Sequence, residues 1–326
     1  MLGFKIFALF AVIAVASSDI QIREKYRTAK PISAHSRYQG LQLRENLSNN
    51  IELNSLIVGG QPAELGQFPH HALIFIVYSN GDTYLCGGSI IHRNWILTAG
   101  HCVFGGAQYF EIYLGVINIS GPVSWNATVY PRDVFLHREY NDLTLMNDIA
   151  MIKLVDAPEN LFLDPFVSPI ALPSKITNLV QRTGTIIGFG RESDRSTSIS
   201  NVLKFNTLRA ITNQVCASYY VPGLVHETNL CAATNAQAST CGGDSGGSYI
   251  FNIDGVNILE GVTSFGASGG CQLEVPVGFT RVTSYLNWIY NNINEGTTTT
   301  TTEHDNRDDI KKILQDSLKI GRNYHG

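Results

Sequence analysis

Charge is scarce in this chain. Asp, Glu, Lys and Arg make up 15% of its 326 residues and the net charge is −4, whereas soluble domains carry about 25% charged residues. So weak an acidic balance gives no basic field for nucleic acid and none for an anionic membrane surface. No apolar run reaches the ~20 residues needed to cross a bilayer, so no membrane span is expected. CxxC pairs and HExxH are missing, which removes the common zinc signatures. No metal and no cofactor is therefore expected. Cysteine is sparse, at six, and none precedes Cys86. Glycine, by contrast, is plentiful at 30, which suits a loop-rich β protein better than a helical one.

Along the chain, Lys5 precedes an apolar stretch from Ile6 to Val15, and Ala14-Val15-Ala16 offers small residues for cleavage. Residues 1–16 therefore read as a secretory signal ending at 16–18, and the mature protein is expected outside the cell. Disulfides are expected there, although spacing alone leaves their pairing open. Residues 17–56 are polar and without strong periodicity. They read as a propeptide, the alternative being an N-terminal arm that is never removed. From about residue 57, short β-branched runs alternate with Gly, Pro, Asn and Asp. Examples are Ala72 to Tyr78, Ser89 to Ile91, Trp95 to Thr98, Glu111 to Leu114, Ile149 to Val155, Gly184 to Phe189 and Asn257 to Ser264. Val282, Tyr285, Leu286 and Ile289 then fall on one face of a terminal helix, expected to lie on the second half of the domain. Residues 296–326 hold a run of threonines and a charged tail, read as a linker and extension of unassigned role.

Three fragments carry the chemistry. Thr98-Ala99-Gly100-His101-Cys102 supplies a histidine, Asn147-Asp148-Ile149-Ala150-Met151 a carboxylate, and Cys241-Gly242-Gly243-Asp244-Ser245-Gly246-Gly247 a serine framed by glycines. Each fragment alone is weak, but their order is one of those known for an acyl-transfer triad. A serine hydroxyl needs an adjacent base, and an imidazole that titrates near pH 6.5 can take and return its proton. From Ile57 to about Asn292 the chain resembles the chymotrypsin-like serine proteases.

That resemblance implies an all-β fold of two six-stranded antiparallel β-barrels with a C-terminal helix. The protease domain would span 57–295, with the barrels joined near 170–180. His101, Asp148 and Ser245 would be the catalytic triad, and the N–H groups of Gly243 and Ser245 the oxyanion hole. Ser264 would contact Asp148. The implied disulfides are Cys86–Cys102, Cys216–Cys231 and Cys241–Cys271. Cleavage before Ile57 would create an ammonium that pairs with Asp244. Leu56 stands where the family usually has Arg or Lys, so an activator that prefers large apolar residues is expected, the enzyme itself being one candidate. The pocket floor is implied at Ser239, with Gly266 on its wall and Val277 as a second floor position. A neutral floor leaves a substrate cation unpaired, which argues against trypsin-like cleavage. Thr263 to Trp288 looks like arthropod chymotrypsins and the related crab collagenases, and cleavage after Phe, Tyr, Leu or Met is expected. Calcium is disfavoured, because Val116 to Pro131 contains no acidic residue and Ca²⁺ takes hard oxygen ligands. Sequons stand at Asn46, Asn118 and Asn126. Expected partners are protein or peptide substrates, an activating protease and protein inhibitors, with the enzyme a monomer. The rival reading is an inactive protease homologue acting as a binding module.

Overall fold

The structure, a computed structural model, describes residues 29–34 and 60–295. The stretch 1–16 expected to be a signal, most of 17–56 with Asn46 and Leu56, Ile57, and the tail at 296–326 lie outside the described residues.

Strand β3 (His71–Val77) is buried along all seven residues. Its continuous apolar run suits a central strand covered on both faces. It pairs on one side with β4 (Thr83–His92) and on the other with β6 (Tyr109–Leu114). Around it lie β5 (Trp95–Thr98), β7 (Trp125–Val129), β8 (Val134–Leu136) and β9 (Ala150–Lys153), in the order β7-β6-β3-β4-β5-β9-β8. An eighth strand, β1 (Lys30–Pro31), pairs in parallel with β4. It comes from the segment ahead of the barrels, which the sequence pattern left featureless.

The second sheet closes on itself. Its ring runs β10 (Thr183–Gly188), β13 (Ser248–Ile253), β14 (Val256–Phe265), β15 (Val277–Arg281), β12 (Asn229–Ala233) and β11 (Lys204–Ile211), and β11 returns to β10. β2 (Gln61–Pro62) adds to its margin on β11. The fold is therefore all-β, with two barrel-like sheets and a C-terminal helix. The expected six strands match the second ring, while the first sheet grows to eight.

Two short helices sit on these sheets: α1 (Gly100–Val103), and α2 (Asn213–Ala217), which Thr212 caps through its hydroxyl. The last helix, α3 (Leu286–Glu295), follows a 3₁₀ turn at Val282–Tyr285. It lies on the second barrel, as the pattern suggested, and on the first as well. Ile289, Tyr290 and Ile293 join a core shared with Leu97 and Ile152 of the first sheet and Ile250 and Leu259 of the second. Trp288 also lies 5.3 Å from the His137 ring of the first half. The reason is where β15 delivers the chain: Thr280 of β15 donates to the Asp148 carbonyl at 2.6 Å, so the helix begins at the seam between the sheets. Among the described residues, no helix is long and apolar enough to cross a membrane.

Candidate active site

His101 sits in α1, directly after β5. Cys102 beside it is bonded to Cys86 of β4, so this short helix is clamped to the sheet. Asp148 lies just ahead of β9 on a loop whose Leu145 and Asn147 have positive φ, 51° and 56°. That loop is held by the second half: Tyr285 donates its hydroxyl to Asn147 Oδ1 at 2.9 Å, beside the Thr280 bond.

Asp148 is buried and receives three bonds. The His101 backbone N–H donates to Oδ1 at 2.7 Å, and His101 Nδ1 lies 2.8 Å from Oδ2. Ser264 Oγ, from β14 of the other sheet, donates to Oδ2 at 2.6 Å. A carboxylate on Nδ1 fixes the ring so that Nδ1 carries the hydrogen and Nε2 is left to accept one.

Ser245 is half-buried, on the turn between β12 and β13. The turn is stitched to both sheets: Gly87 N–H of β4 donates to Ser245 O at 2.7 Å, and Gly246 N–H donates to Thr263 O at 2.9 Å. Cys241–Cys271 ties it to the loop beyond β14, and Cys216–Cys231 ties α2 to β12. Each closes a loop worth about 3 kcal/mol in the chain-entropy account. Gly243 has φ 105°, and a Cβ there would press on the Gly190 Cα at 3.0 Å; only glycine fits both constraints. Ser245 and His101 open into one cleft of about 560 Å³.

Ser239, Gly266 and Val277 line the same cleft. Ser239 is buried and donates to the Thr240 carbonyl at 3.0 Å. A Cβ on Gly266 would stand 3.5 Å from Val277 Cγ1, so these two positions face each other. Val277 is itself buried, and among the described residues no carboxylate lines this cleft.

Asp244 points away from the cleft into the protein. Gly190 N–H and Cys241 N–H donate to its two oxygens at 2.8 and 2.9 Å. Glycines at 188 and 190 make the room, since a Cβ at either would collide with this carboxyl. Burial pushes its pKa up from 3.8 to about 6, and the two N–H donors only partly offset that. Among the described residues, no cation pairs with it.

The family model for Trypsin matches residues 57–289. The chain belongs to the trypsin family. It is a serine endopeptidase of chymotrypsin-like type, similar to brachyurin of Leptuca pugilator at 37% identity, over 72% of this chain and 96% of that protein. Collagenase of Hypoderma lineatum is 36% identical over 72% of this chain and 86% of its own length. Chymotrypsin of Phaedon cochleariae is 34% identical over 72% and 80%. A solved structure of HL collagenase superposes with a TM-score of 0.63 at 35% identity, covering 72% of this chain and 97% of that one.

Several members of this trypsin-family site escaped the sequence reading. Tyr285 falls on the terminal-helix face by its spacing and Thr280 carries no sequence signal, yet both brace the Asp148 loop. Leu145, buried despite its positive φ, lines the cleft. Thr98 Oγ1 donates to Gly87 O at 2.8 Å and packs on Gly246. No local signal marks these residues, because their partners are 11 to 138 positions away. Of the sequons, Asn126 is exposed on β7, whereas Asn118 is half-buried and its side-chain oxygen accepts from Ser120 N–H at 2.9 Å.

Proposed function

We propose that the protein is a secreted zymogen which, once cut before Ile57, hydrolyses peptide bonds after large apolar residues through an acyl-enzyme. The observation that carries the reading is the chain Ser264–Asp148–His101 opening onto Ser245 in one cleft. In the reaction Ser245 Oγ attacks the scissile carbonyl and His101 Nε2 takes its proton. The same proton passes to the leaving amine, and water repeats the sequence to release the acid. Asp148 keeps the ring oriented and stabilises the imidazolium. The N–H groups of Gly243 and Ser245 receive the oxyanion, each donor of this kind contributing about 10²–10³ in rate. The chemistry needs no cofactor.

Specificity follows from the pocket's chemistry. The Ser239 floor is neutral, and the Gly266–Val277 pair leaves an open, shallow, apolar space. Phe, Tyr, Leu or Met fit it, while Lys or Arg would bury an unpaired cation. Activation follows from Asp244. An ammonium on Ile57 would give that buried carboxyl a partner, and removing one member of a buried pair costs about 3–5 kcal/mol. The apolar run Ile6–Val15 and three disulfides support secretion, with Asn126 the favoured glycan site.

N-terminal sequencing of the active form, with a panel of peptides varied only before the cut, tests the reading. Ile57 as first residue and preference for Leu, Tyr, Phe or Met are expected. Preference for Arg or Lys would overturn the pocket assignment. Failure of an active-site phosphonate to label Ser245 would favour an inactive homologue instead. A Ser245→Ala chain cut after Leu56 as fast as wild type, each alone, would exclude self-activation.

A further inference from the structure

The segment Lys30–Ala34 lies far ahead of the barrels in sequence, yet it is built into the cleft. β4 is paired with β3 along Thr83–Ser89, but β5 covers its other edge only from Ser89 onward. The open edge ahead of Ser89 is where Gly87 N–H meets Ser245 O. Residues alternate along a strand edge, so Leu85 presents its backbone to the same side, about 7 Å away. There β1 adds in parallel, Lys30 beside Tyr84 and Pro31 beside Leu85.

Three further features make this a fitted contact. Ile32 is 0% exposed and belongs to the larger core. Lys30 Nζ lies 3.1 Å from Asp82 Oδ1 and over the Tyr84 ring at 5.9 Å. Pro31 and Ser33 press on Gly242, where a Cβ would stand 3.0 Å from each of them. Lys30, Pro31 and Ser33 thus form part of the wall of the cleft that holds His101 and Ser245.

We propose that Lys30–Ala34 is an intrachain ligand of the active-site cleft, added as a strand to the open edge of β4 with Ile32 as its anchor, and that it obstructs substrate until the chain is cut. Peptide addition to an open strand edge takes its affinity from the main chain and its selectivity from side-chain pockets. Here the pocket takes a branched apolar residue, and Asp82 takes a cation two residues earlier. Residues 35–59 tether the segment, and all six cysteines are bonded to one another between Cys86 and Cys271. After a cut at Leu56 no disulfide retains it. Carried on the same chain as its groove, the segment has an effective concentration of about 1 mM. A free-peptide Kd of about 100 µM then fills the groove roughly 90% of the time before the cut, and about 1% after it at about 1 µM protein. The switch rests on the zymogen reading above, whereas the groove stands without it.

A labelled peptide of residues 27–37 tests the groove on two full-length chains, Ser245→Ala and the same chain with Ile32→Asp. The second has expelled its own segment and should bind the peptide with a Kd near 100 µM. The first should bind at least ~10-fold more weakly, because its groove is occupied. Equal binding by both, or none by either at about 1 mM, would overturn the proposal. In the Ser245-containing chain, activation removes the segment. Activated Ile32→Asp and activated wild type are then the same molecule, and equal kcat/KM certifies that the variant folded. The unlabelled peptide should inhibit this activated enzyme competitively and be recovered intact, and its Ile32→Asp version should be ~10-fold weaker or worse. Activated enzyme indifferent to the peptide sinks this inference. An activated chain that hydrolyses nothing sinks the protease reading, and the binding comparison still decides the groove.

Discussion

Asp148 and Asp244 are both buried carboxylates at the seam of the two sheets, but they are satisfied differently. Asp148 receives two bonds from His101 and one from Ser264, so its surroundings are complete within the folded domain. Asp244 has two backbone donors and no cation among the described residues, and burial lifts its pKa to about 6. The first site is finished by folding alone. The second holds a carboxyl whose burial cost is left standing, the condition that the proposed activation at Ile57 calls for.

Substitutions can break this contrast in order of severity. Asp148→Asn should leave the fold intact and lower kcat by about 10⁴, read as ester hydrolysis by activated enzyme, because the amide favours the wrong histidine tautomer. A loss below tenfold would remove Asp148 from the site. Asp244→Asn should cost about 10²–10³ in kcat, since the adjacent Gly243 N–H would no longer be drawn into place. Unlike Asp148→Asn, this variant should gain little from cleavage before Ile57.

The same residue should separate the two forms by pH. A folded value of about 6 against 3.8 means the uncut chain holds an extra proton between those values. Its stability is then greatest at about pH 4 and below and falls as pH rises through 6, by roughly 3 kcal/mol at most. Melting of the Ser245→Ala chain from pH 4 to 7 reads this out. Asp244→Asn should flatten the fall, and so should cleavage that supplies the Ile57 ammonium. The smallest effect should come from Ser264→Ala. It removes one bond to a charged group, worth about 1.5–3 kcal/mol, and should lower kcat about 10-fold with KM unchanged. A change confined to KM would mean that Ser264 serves substrate binding instead.

Much of this was legible in the residues. The His101, Asp148 and Ser245 fragments are contiguous, and β3 announces itself as a continuous apolar run. The weaker strands β7 and β8 do not, because Trp125–Thr128 alternates half-buried and exposed residues before the buried Val129, and Val134–Leu136 has only three. The packing of α3 was legible in part: it lies on the second sheet as expected and on the first as well, since an amphipathic stripe says that a helix packs but not on everything it meets. Least legible was Lys30–Ala34. Ile32 is a lone apolar residue in polar sequence, and no periodicity shows that its pocket lies across β4. Buried groups such as Glu260, pushed up to about 7 by burial, are invisible to pattern reading for the same reason.

The glycines where the sheets meet have a wider consequence. Gly87 N–H bonds to Ser245 O, and a side chain on Gly87 would meet Gly247 Cα at 3.1 Å. The alignment of one half on the other is therefore set by main-chain atoms, like two machined parts located by a bare metal face. Side chains in either core can be exchanged over generations without shifting that face. The distance between His101 and Ser245 is thereby insulated from drift in the packing behind it, so kinship at 34–37% identity is compatible with one shared geometry at the cleft.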